Sequence, residues 1–447
     1  MLTSMTRLLT LCATLALSLL PAAARPNFLF LLADDQRPDT IAALGSPVAQ
    51  TPVLDALVRR GTAFSKAYCM GANQGAVCVP SRAMLLSGRP LQEADETLKD
   101  KTWPELFADH GYRTFITGKW HNGAPSLRRA FNSGRSIFLG GMTDPDTAKV
   151  VDFLPDGKLS PPHKVSQHCV AQFASEAADF LKSSDSSSPW LCYVAFNAPH
   201  DPRKAPPEWH AKFQPSSIPV PDNFLPEHPF DNGELKIRDE LLAPHPRTHA
   251  DVQRHLADYH AAIAFMDHQI GRILDAIPEN QRDSTYIVFT ADSGLAIGSH
   301  GLFGKQNLYE HSMRVPLIIA GPGITANRTT PALVYLHDLF PTLASLASLP
   351  SLDQSRGLNL SPVLLENQNS ARQHITTSYR HLQRAVTDGR WKCIDYPLIS
   401  RTQLFDLSSD PSEIHDLSTN PTHATTLASL RSLLPDISHQ TPRKKSP

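Results

Sequence analysis

The stretch of residues 75–89 contains a cysteine that is followed, after one residue, by Pro-Ser-Arg and then by an apolar run typical of a helix. This pattern places the Cys78 thiol at or near a helix N-terminus, where backbone N–H groups favour anions, and it puts the Arg82 cation one turn further on. Such a site suits a tetrahedral oxyanion, and we expect it to lower the pKa of the thiol. The spacing does not fit the loop of cysteine-based phosphatases, which has more residues between Cys and Arg. The alternative is an ordinary buried cysteine before a core helix, the usual fate of an isolated thiol.

Four predicted strands end in polar residues that are capable of chemistry. These residues are Asp34 and Asp35 after the first strand, Lys119 and His121 after the second, His200 after the third, and Asp292 after the fourth. Ligands bind beyond the carboxyl ends of strands in open α/β sheets, so we expect these side chains to lie at one edge of a sheet. Taken singly, each has a structural explanation, such as a helix cap, a turn or a solvated loop.

Three aspartates brought together at this edge would repel each other unless a cation joined them. Oxygen ligands select Ca²⁺ or Mg²⁺ over zinc, which prefers nitrogen and sulfur. The sequence therefore predicts a site for a hard cation formed by Asp34, Asp35 and Asp292. The alternative is that the three carboxylates never meet.

Apolar runs of strand type alternate with helical patterns over the first 350 residues. Continuous apolar runs, such as residues 27–33, 190–196 and 285–291, are typical of buried parallel strands. The clearest amphipathic helix spans residues 256–273. This alternation predicts an α/β fold with a large mixed, mostly parallel sheet between layers of helices.

Beyond about residue 350 the pattern changes to short strands in a meander, followed by one helix over residues 422–434. We therefore expect a smaller C-terminal α+β subdomain with a short antiparallel sheet plus a helix. Two long segments, residues 123–162 and 201–246, have the composition of loops. The predicted organisation is a signal peptide (1–24), a catalytic domain (25–350), the C-terminal subdomain (351–436) and a basic tail (437–447).

The first 24 residues have the pattern of a secretory signal, with Arg7, an apolar run over residues 8–20 and a small-residue cleavage site at residues 22–24. The apolar run is shorter than the ~20 residues that span a bilayer. We expect export to the periplasm or the cell exterior, and no membrane span. Five cysteines follow the signal, and this odd number singles out Cys78 for a role other than a disulfide. With 42 Lys and Arg against 43 Asp and Glu, nothing indicates a nucleic-acid partner.

From residue 25 to about residue 421, the chain resembles the type I, formylglycine-dependent sulfatases of the alkaline-phosphatase-like superfamily, such as arylsulfatases and iduronate sulfatases. The motifs that carry the resemblance are Cys-Val-Pro-Ser-Arg at 78–82, Ala-Asp-Asp at 33–35, Gly-Lys-Trp-His at 118–121, Ala-Pro-His-Asp-Pro at 198–202, Thr-Ala-Asp-Ser-Gly at 290–294, Gly-Leu-Phe-Gly-Lys at 301–305 and Leu-Phe-Asp-Leu at 404–407. Each motif alone is short, but their combination and order are specific to this family.

The resemblance implies that a maturation enzyme oxidises Cys78 to formylglycine and that the hydrated aldehyde is the nucleophile. It also implies a Ca²⁺ site, with Mg²⁺ as the alternative, whose ligands are Asp34, Asp35, Cys78, Asp292 and Ser293. Ser293 occupies a position where the family usually has Asn or His. A hydroxyl is still a hard oxygen ligand, but it is shorter than either of those side chains.

The remaining roles are implied in the same way. Arg82 and Lys119 stabilise the hydrated aldehyde, and Lys305 neutralises the sulfate oxygens. His200 is the general acid for the leaving alcohol, and His121 is the base that releases sulfate and restores the aldehyde. His300 and His311, close to Lys305 in sequence, either line the pocket or belong to the core.

The predicted function is that of a sulfuric ester hydrolase acting on a sulfated small molecule or glycan, with carbohydrate favoured. One alternative is a phosphoester or phosphonate hydrolase of the same superfamily, although those enzymes generally use Ser or Thr where this chain has Cys78. The other is an inactive sulfoglycan-binding homologue, which would follow if Cys78 were never oxidised. The sugar, the sulfated position, the oligomeric state and the pairing of the other cysteines stay open at this stage.

Overall fold

The computed structural model describes residues 25–185, 187–350 and 352–437. The predicted signal peptide lies outside these ranges, as does the predicted basic tail apart from Ile437. Within them, the helices fall short of the length and apolar character that crossing a bilayer would require. The five cysteines after residue 24 are all buried and free, so none of them forms a disulfide in the described part of the chain.

The described residues form sixteen strands. They are β1 (Asn27–Ala33), β2 (Thr62–Tyr68), β3 (Gly71–Ala72), β4 (Arg113–Lys119), β5 (Ser133–Phe138), β6 (Lys149–Val150), β7 (His163–Lys164), β8 (Trp190–Ala195), β9 (Thr285–Ala291), β10 (Arg314–Val315), β11 (Leu317–Ala320), β12 (Arg328–Tyr335), β13 (Ile375–Tyr379), β14 (Gln383–Thr387), β15 (Trp391–Tyr396) and β16 (Arg401–Asp406).

The same ranges contain twelve α-helices. They are α1 (Pro52–Arg60), α2 (Cys78–Ser87), α3 (Trp103–Asp109), α4 (Ala124–Ala130), α5 (Cys169–Lys182), α6 (Pro207–His210), α7 (His249–Asp275), α8 (Glu279–Arg282), α9 (Glu310–Met313), α10 (Leu339–Leu346), α11 (Ser361–Leu365) and α12 (Ala424–Arg431).

Nine strands form one large mixed sheet in the order β10-β2-β11-β9-β1-β8-β4-β5, with β12 paired to β2. The strands β9, β1, β8, β4 and β5 are parallel, whereas β11 is antiparallel to both β9 and β2. Every residue of β1, β8 and β9 is buried, which requires cover on both faces of the sheet. The predicted α/β fold with a mixed, mostly parallel sheet is therefore confirmed.

An aromatic cluster fixes the first strand against its neighbours. Phe30 of β1 stacks on Tyr193 of β8 with ring centroids 5.2 Å apart, and Phe28 meets Phe107 of α3 edge to face at 5.0 Å. Helix α3 begins at a capping box, in which Thr102 and Glu105 bind each other's backbone N–H groups. These contacts hold the strand that precedes Asp34 and Asp35 against its neighbours.

A second sheet of five strands has the order β16-β15-β14-β13-β3. Its strands β13 to β16 form the predicted antiparallel meander, and its edge strand β3 pairs in parallel with β13. Strand β3 lies just before α2, so the C-terminal sheet is completed by the segment that leads to Cys78. Gly71 of β3 is needed there, because a Cβ atom would lie 2.1 Å from the Ser378 carbonyl oxygen. The domain boundary near residue 350 stays a prediction.

The loop prediction for residues 123–162 is wrong in part, because this segment contains α4, β5 and β6. Strand β5 was missed because it is the edge strand of the large sheet and its sequence, Ser-Gly-Arg-Ser-Ile-Phe, is mostly small and polar. The loop prediction for residues 201–246 is largely confirmed, since the segment holds only the one-turn helix α6 and two 3₁₀ turns.

Candidate active site

Cys78 is the first residue of α2, as predicted, and its side chain is buried. The thiol Sγ lies 3.4 Å from Asp34 Oδ1 and 3.7 Å from Asp35 Oδ1, and it accepts a hydrogen bond of 2.8 Å from Lys305 Nζ. The start of α2 therefore points at the carboxyl end of β1. The elements that meet here are a helix, the central strands of the sheet and the loop that carries Lys305.

The predicted lowering of the thiol pKa is wrong. Burial raises the pKa of Cys78 well above its ordinary value, and the charges of Asp292, Asp35 and Asp34 raise it further, while Lys305 opposes them. Desolvation and three nearby carboxylates thus outweigh the helix N-terminus. As a thiol, this side chain is protonated and is not an activated nucleophile.

The three aspartates meet because β1 and β9 are adjacent, parallel and in register. Ala33 pairs with Ala291, so the residues that follow each of them leave the sheet side by side. Asp35 has φ of 66°, in the left-handed region, and its backbone N–H donates to Asp292 Oδ1 at 3.1 Å. The hydroxyl of Ser293 donates to Asp35 Oδ1 at 2.8 Å.

Each of the three carboxylates has a different buried cation as its nearest partner, and Asp34 also lies 3.9 Å from Arg82 Nη2. Lys119 Nζ lies 2.6 Å from Asp34 Oδ2, Lys305 Nζ lies 2.5 Å from Asp35 Oδ1, and Arg82 Nε lies 2.8 Å from Asp292 Oδ2. Arg82 also donates from Nη1 to the Lys119 carbonyl oxygen at 2.8 Å. The six predicted residues from α2, the strand ends and the Lys305 loop therefore form one charge-balanced cluster.

The pKa values of the carboxylates diverge within this cluster. Burial opposes ionisation of Asp34, but Lys119, His200 and Arg82 hold its pKa well below the usual range. For Asp292, burial and the charge of Asp34 raise the pKa, and the adjacent Arg82 only partly offsets them. Asp34 is thus held in its charged form more firmly than Asp292.

The carboxylate oxygens of this site fit a hard cation, whereas the Cys78 sulfur and the His200 nitrogen that lie with them do not. One ligand atom from each of Asp34, Asp35, Cys78 and His200 lies within 4.8 Å of the others. Asp292 is joined to the backbone N–H of Asp35, so its carboxylate is next to this group. His200 was predicted as the general acid and not as part of the metal cluster, but one of its ring nitrogens lies within this group.

The two predicted histidines are both neutral at pH 7. Burial lowers the pKa of His200 to about 4, although Asp35 opposes the shift. Its Nδ1 lies 2.8 Å from the Asp201 carbonyl oxygen, and its Nε2 lies 3.6 Å from Asp35 Oδ2. Burial, with Lys119 and Arg82, lowers the pKa of His121 to about 2. His121 has φ of 70°, and its Nδ1 is buried without a hydrogen-bond partner among the described residues.

Other residues of the site were not predicted. The hydroxyl of Tyr259 donates to the Asp35 carbonyl oxygen at 2.5 Å, and it accepts from the Arg37 N–H at 3.1 Å. In the sequence, Tyr259 was only one position of the apolar face of α7, so its spacing gave no signal. Gln306 also contacts the site, because its amide binds the Gly75 carbonyl in the loop before Cys78 at 3.0 Å.

His300 and His311 have packing contacts. The His300 ring stacks on Tyr309 at 3.9 Å and its Nε2 lies 3.0 Å from Asn223 Nδ2. His311 is buried beside the same tyrosine, with ring centroids 5.6 Å apart. Of the two interpretations of these histidines, the structure favours the core.

Comparison with known proteins gives two family matches. A family model described as Sulfatase matches residues 26–349, and one described as N-sulphoglucosamine sulphohydrolase, C-terminal, matches residues 298–440. N-acetylglucosamine-6-O-sulfatase of Bacteroides thetaiotaomicron is 25% identical over an alignment covering 93% of this chain and 87% of its own. Arylsulfatase K of Rattus norvegicus is 27% identical, covering 90% of this chain and 76% of its own.

Solved structures share the fold. A protein solved in complex with its substrate D-glucosamine-2-N,6-O-disulfate has a TM-score of 0.78 at 23% identity, covering 92% of this chain and 96% of that one. The phosphonate monoester hydrolase of Agrobacterium radiobacter has a TM-score of 0.72 at 21% identity, covering 95% of this chain and all of that one. At these identities the likeness concerns the fold alone.

Proposed function

Because the chain belongs to the sulfatase family, whose members are sulfuric ester hydrolases, we propose that it removes sulfate from a sulfated carbohydrate by means of a formylglycine at position 78. The observation that carries the proposal is the position of Cys78. Cys78 is the first residue of α2, and its side chain faces Asp34, Asp35 and Lys305 within hydrogen-bonding range. A protonated, buried thiol has no evident chemical role among three carboxylates and three cations. A residue 78 oxidised to formylglycine would have one, because its hydrated aldehyde is a nucleophile.

The two groups that this chain does not encode each supply one kind of chemistry. A formylglycine made from Cys78 by a maturation enzyme provides a hydrated aldehyde as the nucleophile. A bound Ca²⁺, with Mg²⁺ as the alternative, provides a positive charge that polarises the sulfate oxygens. The ligands that would hold the cation are Asp34, Asp35, Asp292, the oxygen of residue 78, and Ser293 directly or through water.

The chain's own residues perform the other steps. Lys119 and Lys305 are buried cations that lie beside the nucleophile's position, so they stabilise the charge of the sulfuryl group during transfer. Arg82 holds Asp292 and the Lys119 carbonyl, which fixes the end of β9 relative to β4. In the overall reaction the bond between sulfur and the alcohol oxygen breaks, and one water molecule is consumed.

Proton transfer falls to the two histidines. His200 provides the proton that the leaving alcohol oxygen takes up, since its Nε2 faces Asp35 in the site. Because the ring is neutral at pH 7, it has to take up a proton at Nε2 before it can act as this acid. His121 has a ring nitrogen without a hydrogen-bond partner among the described residues, and we assign to it the proton that is removed when sulfate is released. Both histidines lie at the strand ends where the sequence predicted them.

We propose a sulfated amino sugar as the substrate to test first. The Bacteroides relative is named an N-acetylglucosamine-6-O-sulfatase, and the structural neighbour was solved with a glucosamine disulfate. We also propose that residues 1–24 direct export, which would place the enzyme in the periplasm or outside the cell, where sulfated glycans are encountered.

Mass spectrometry of the peptide containing Cys78 tests the nucleophile. The protein should be purified after expression in a host with a formylglycine-generating enzyme, and the expected mass is that of formylglycine. An unmodified cysteine from such a host would contradict the mechanism, and the binding-protein alternative would then lead.

Release of inorganic sulfate from D-glucosamine 6-sulfate tests the reaction. The wild type should release sulfate and the variant Cys78→Ala should not, although a cooperative melting transition shows that both proteins are folded. A phosphonate monoester and a phosphate monoester, assayed in parallel, cover the rival chemistry. Faster hydrolysis of either than of several sulfate esters would replace the proposed activity.

A further inference from the structure

Three consecutive residues of the long proline-rich segment turn back and bind the loops that carry the catalytic side chains. We call Arg238, Asp239 and Glu240 the clamp. They begin a 3₁₀ turn, Arg238–Leu242, about forty residues after His200 along the chain. Each of the three contacts a different part of the two catalytic loops.

The first arm of the clamp reaches the residue after His200. Arg238 binds both carboxylate oxygens of Asp201, one of them from Nη1 at 3.1 Å and the other from Nη2. The carbonyl oxygen of the same Asp201 lies 2.8 Å from His200 Nδ1. A fixed Asp201 side chain therefore also holds in place the backbone carbonyl that orients the His200 ring. With the ring oriented in this way, its Nε2 is directed into the site.

The second arm holds the loop of Lys305. Glu240 accepts hydrogen bonds from the backbone N–H of Phe303 at 2.9 Å and of Gly304 at 2.8 Å. The carboxylate is nearly fully buried, and Arg247, also buried, donates to it at 2.9 Å. Two consecutive backbone groups directly before Lys305 are thus held by one charged side chain.

Asp239 adds a contact on the other side of Lys305. It accepts a hydrogen bond of 2.8 Å from the amide of Gln306, and that amide also donates to the Gly75 carbonyl oxygen at 3.0 Å. The fit is close, because a Cβ atom on Gly304 would lie 2.5 Å from Gln306 Oε1 and 3.0 Å from Asp239 Cβ. The clamp therefore fixes the Lys305 loop relative to the loop before Cys78.

We propose that the clamp positions two catalytic groups by two arms, which the ion pair of Arg238 with Asp239 joins: Arg238 acts on the general acid His200, and Asp239 and Glu240 act on the sulfate-binding Lys305. The proposal rests on the proposed sulfatase function. Its consequence is that the two arms affect different kinetic quantities. Loss of the first arm impairs proton donation, and loss of the second impairs sulfate binding.

The first arm is tested by the dependence on the leaving group. An alcohol needs a proton as it leaves, whereas 4-nitrophenolate leaves without one, so a fault in the general acid appears only with the alcohol. For Arg238→Met we expect kcat on D-glucosamine 6-sulfate to fall by about tenfold or more, and kcat on 4-nitrophenyl sulfate to change by less than about threefold. Arg238→Lys, which retains a cation, should recover part of the loss.

The matched control for this arm is Lys236→Met, which removes an exposed cation two positions earlier in the same segment. This variant should have the kinetics of the wild type on both esters. Equal losses on the two esters for Arg238→Met would overturn the assignment of this arm. The side chain of Arg238 is about half exposed, at 47%, so the variant is expected to fold.

The second arm is tested by substituting each side of its contact, the Glu240 carboxylate and the backbone at Gly304. Glu240→Gln and Gly304→Ala should each raise KM for both esters, and weaken inhibition by inorganic sulfate, by about the same factor whatever the leaving group. Melting temperatures identify a variant that has lost its fold, and Asp239→Asn, at a half-buried position, tests the same loop with less risk. Unchanged KM and sulfate inhibition in the folded variants would overturn this arm.

The activity of the wild-type protein distinguishes failure of the proposed sulfatase function from failure of the clamp proposal. If it hydrolyses neither ester although residue 78 is formylglycine, the proposed function fails and the clamp's catalytic role fails with it. If it hydrolyses them and the variants lack the expected pattern, the clamp alone fails.

Discussion

At the scale of single residues, the carboxylates of Asp34, Asp35 and Asp292 converge within a buried cluster in which each already has one cationic partner. These partners lie on three different elements, α2, β4 and the Lys305 loop. The cluster can therefore form before a metal ion binds. An added cation would bind to a site whose oxygen ligands are already in place, which limits the rearrangement that binding requires.

Removal of the bound cation should reduce both the activity and the stability of the protein. Treatment with EGTA or EDTA should abolish sulfate release and lower the melting temperature, and Ca²⁺ should restore both. A ligand that binds only the folded protein stabilises it by about 2.7 kcal/mol at a hundredfold excess over its Kd, so the shift should be measurable by calorimetry.

The variant Asp35→Asn is the control for chelation, because it removes one carboxylate oxygen from the cluster. Its melting temperature should respond much less to Ca²⁺ than that of the wild type. A wild type that keeps full activity and an unchanged melting temperature after exhaustive chelation would contradict a role for the metal.

Some residues of the site could be predicted from sequence and others could not, for a physical reason. Asp34 and Asp292 directly follow apolar strands, Lys119 ends β4, and His200 lies in the loop after β8, so the edge of a parallel sheet brings them together. The contacts of Tyr259 and Gln306 depend on how α7 and the Lys305 loop pack, which local sequence does not show. The thiol pKa was predicted in the wrong direction because the helix N-terminus was considered without the cost of burial.

At the scale of elements, the central strands of the large sheet were easier to predict from sequence than the strands at its edges. Strands β1, β8 and β9 are buried throughout, and their continuous apolar sequences predicted them. Strand β12 contains Pro331, and its pairing with β2 shifts register between Thr330 and Leu333. A proline at such an irregularity is compatible with a strand, but in the sequence it reads as an interruption.

Helix α1 depends on a carboxylate supplied by α7, and this dependence predicts an effect of pH. Asp267 accepts hydrogen bonds from the N–H groups of Val53 at 3.1 Å and Leu54 at 2.8 Å, in the first turn of α1. Burial raises its pKa to about 7, although the two N–H groups oppose the shift. Between pH 4 and pH 7 the folded protein therefore holds a proton that the unfolded chain has released, and this contribution to stability is lost as the pH rises.

The variant Asp267→Asn should not show this loss. Relative to the wild type, its free energy of unfolding should increase by on the order of 3 kcal/mol between pH 4 and pH 7, since one pKa unit corresponds to about 1.4 kcal/mol. Urea denaturation of both proteins across this range measures the difference. Asp275→Asn, at an exposed position of the same helix, should follow the wild type, and a constant difference for Asp267→Asn would refute the prediction.

At the scale of the whole molecule, two of the junctions between the C-terminal sheet and the rest of the chain involve segments that lead to or from the site. Strand β3 pairs with β13 directly before the segment that leads to Cys78. The second junction is a buried ionic group centred on Lys392 of β15, whose Nζ lies 2.9 Å from Glu310 Oε1 and 2.8 Å from Glu413 Oε1. Glu310 follows the Lys305 loop and begins α9, so this junction ties the C-terminal sheet to a catalytic loop.

The buried charges at the Lys392 junction predict how substitutions there change the free energy of unfolding. In the variant Lys392→Met, two carboxylates would stay buried without their shared cation, and Glu413 has a pKa already raised by burial to about 7. Breaking one side of a buried ion pair costs about 3–5 kcal/mol, whereas exposed pairs contribute about 0–1 kcal/mol. We therefore expect a large loss of unfolding free energy in urea for Lys392→Met and a small one for Arg390→Met, which removes a largely exposed partner of Asp406.

A double variant separates charge from packing at this junction. Glu413→Gln combined with Lys392→Met removes one of the uncompensated carboxylates, so it should recover part of the stability that the single variant loses. If the loss came only from the missing lysine side chain's packing, the second substitution would add to the damage. Because Glu413 also accepts a hydrogen bond of 2.7 Å from the Glu310 N–H, the glutamine can keep that contact while it loses the charge. A double variant less stable than Lys392→Met would therefore show that the junction depends on shape and not on charge balance.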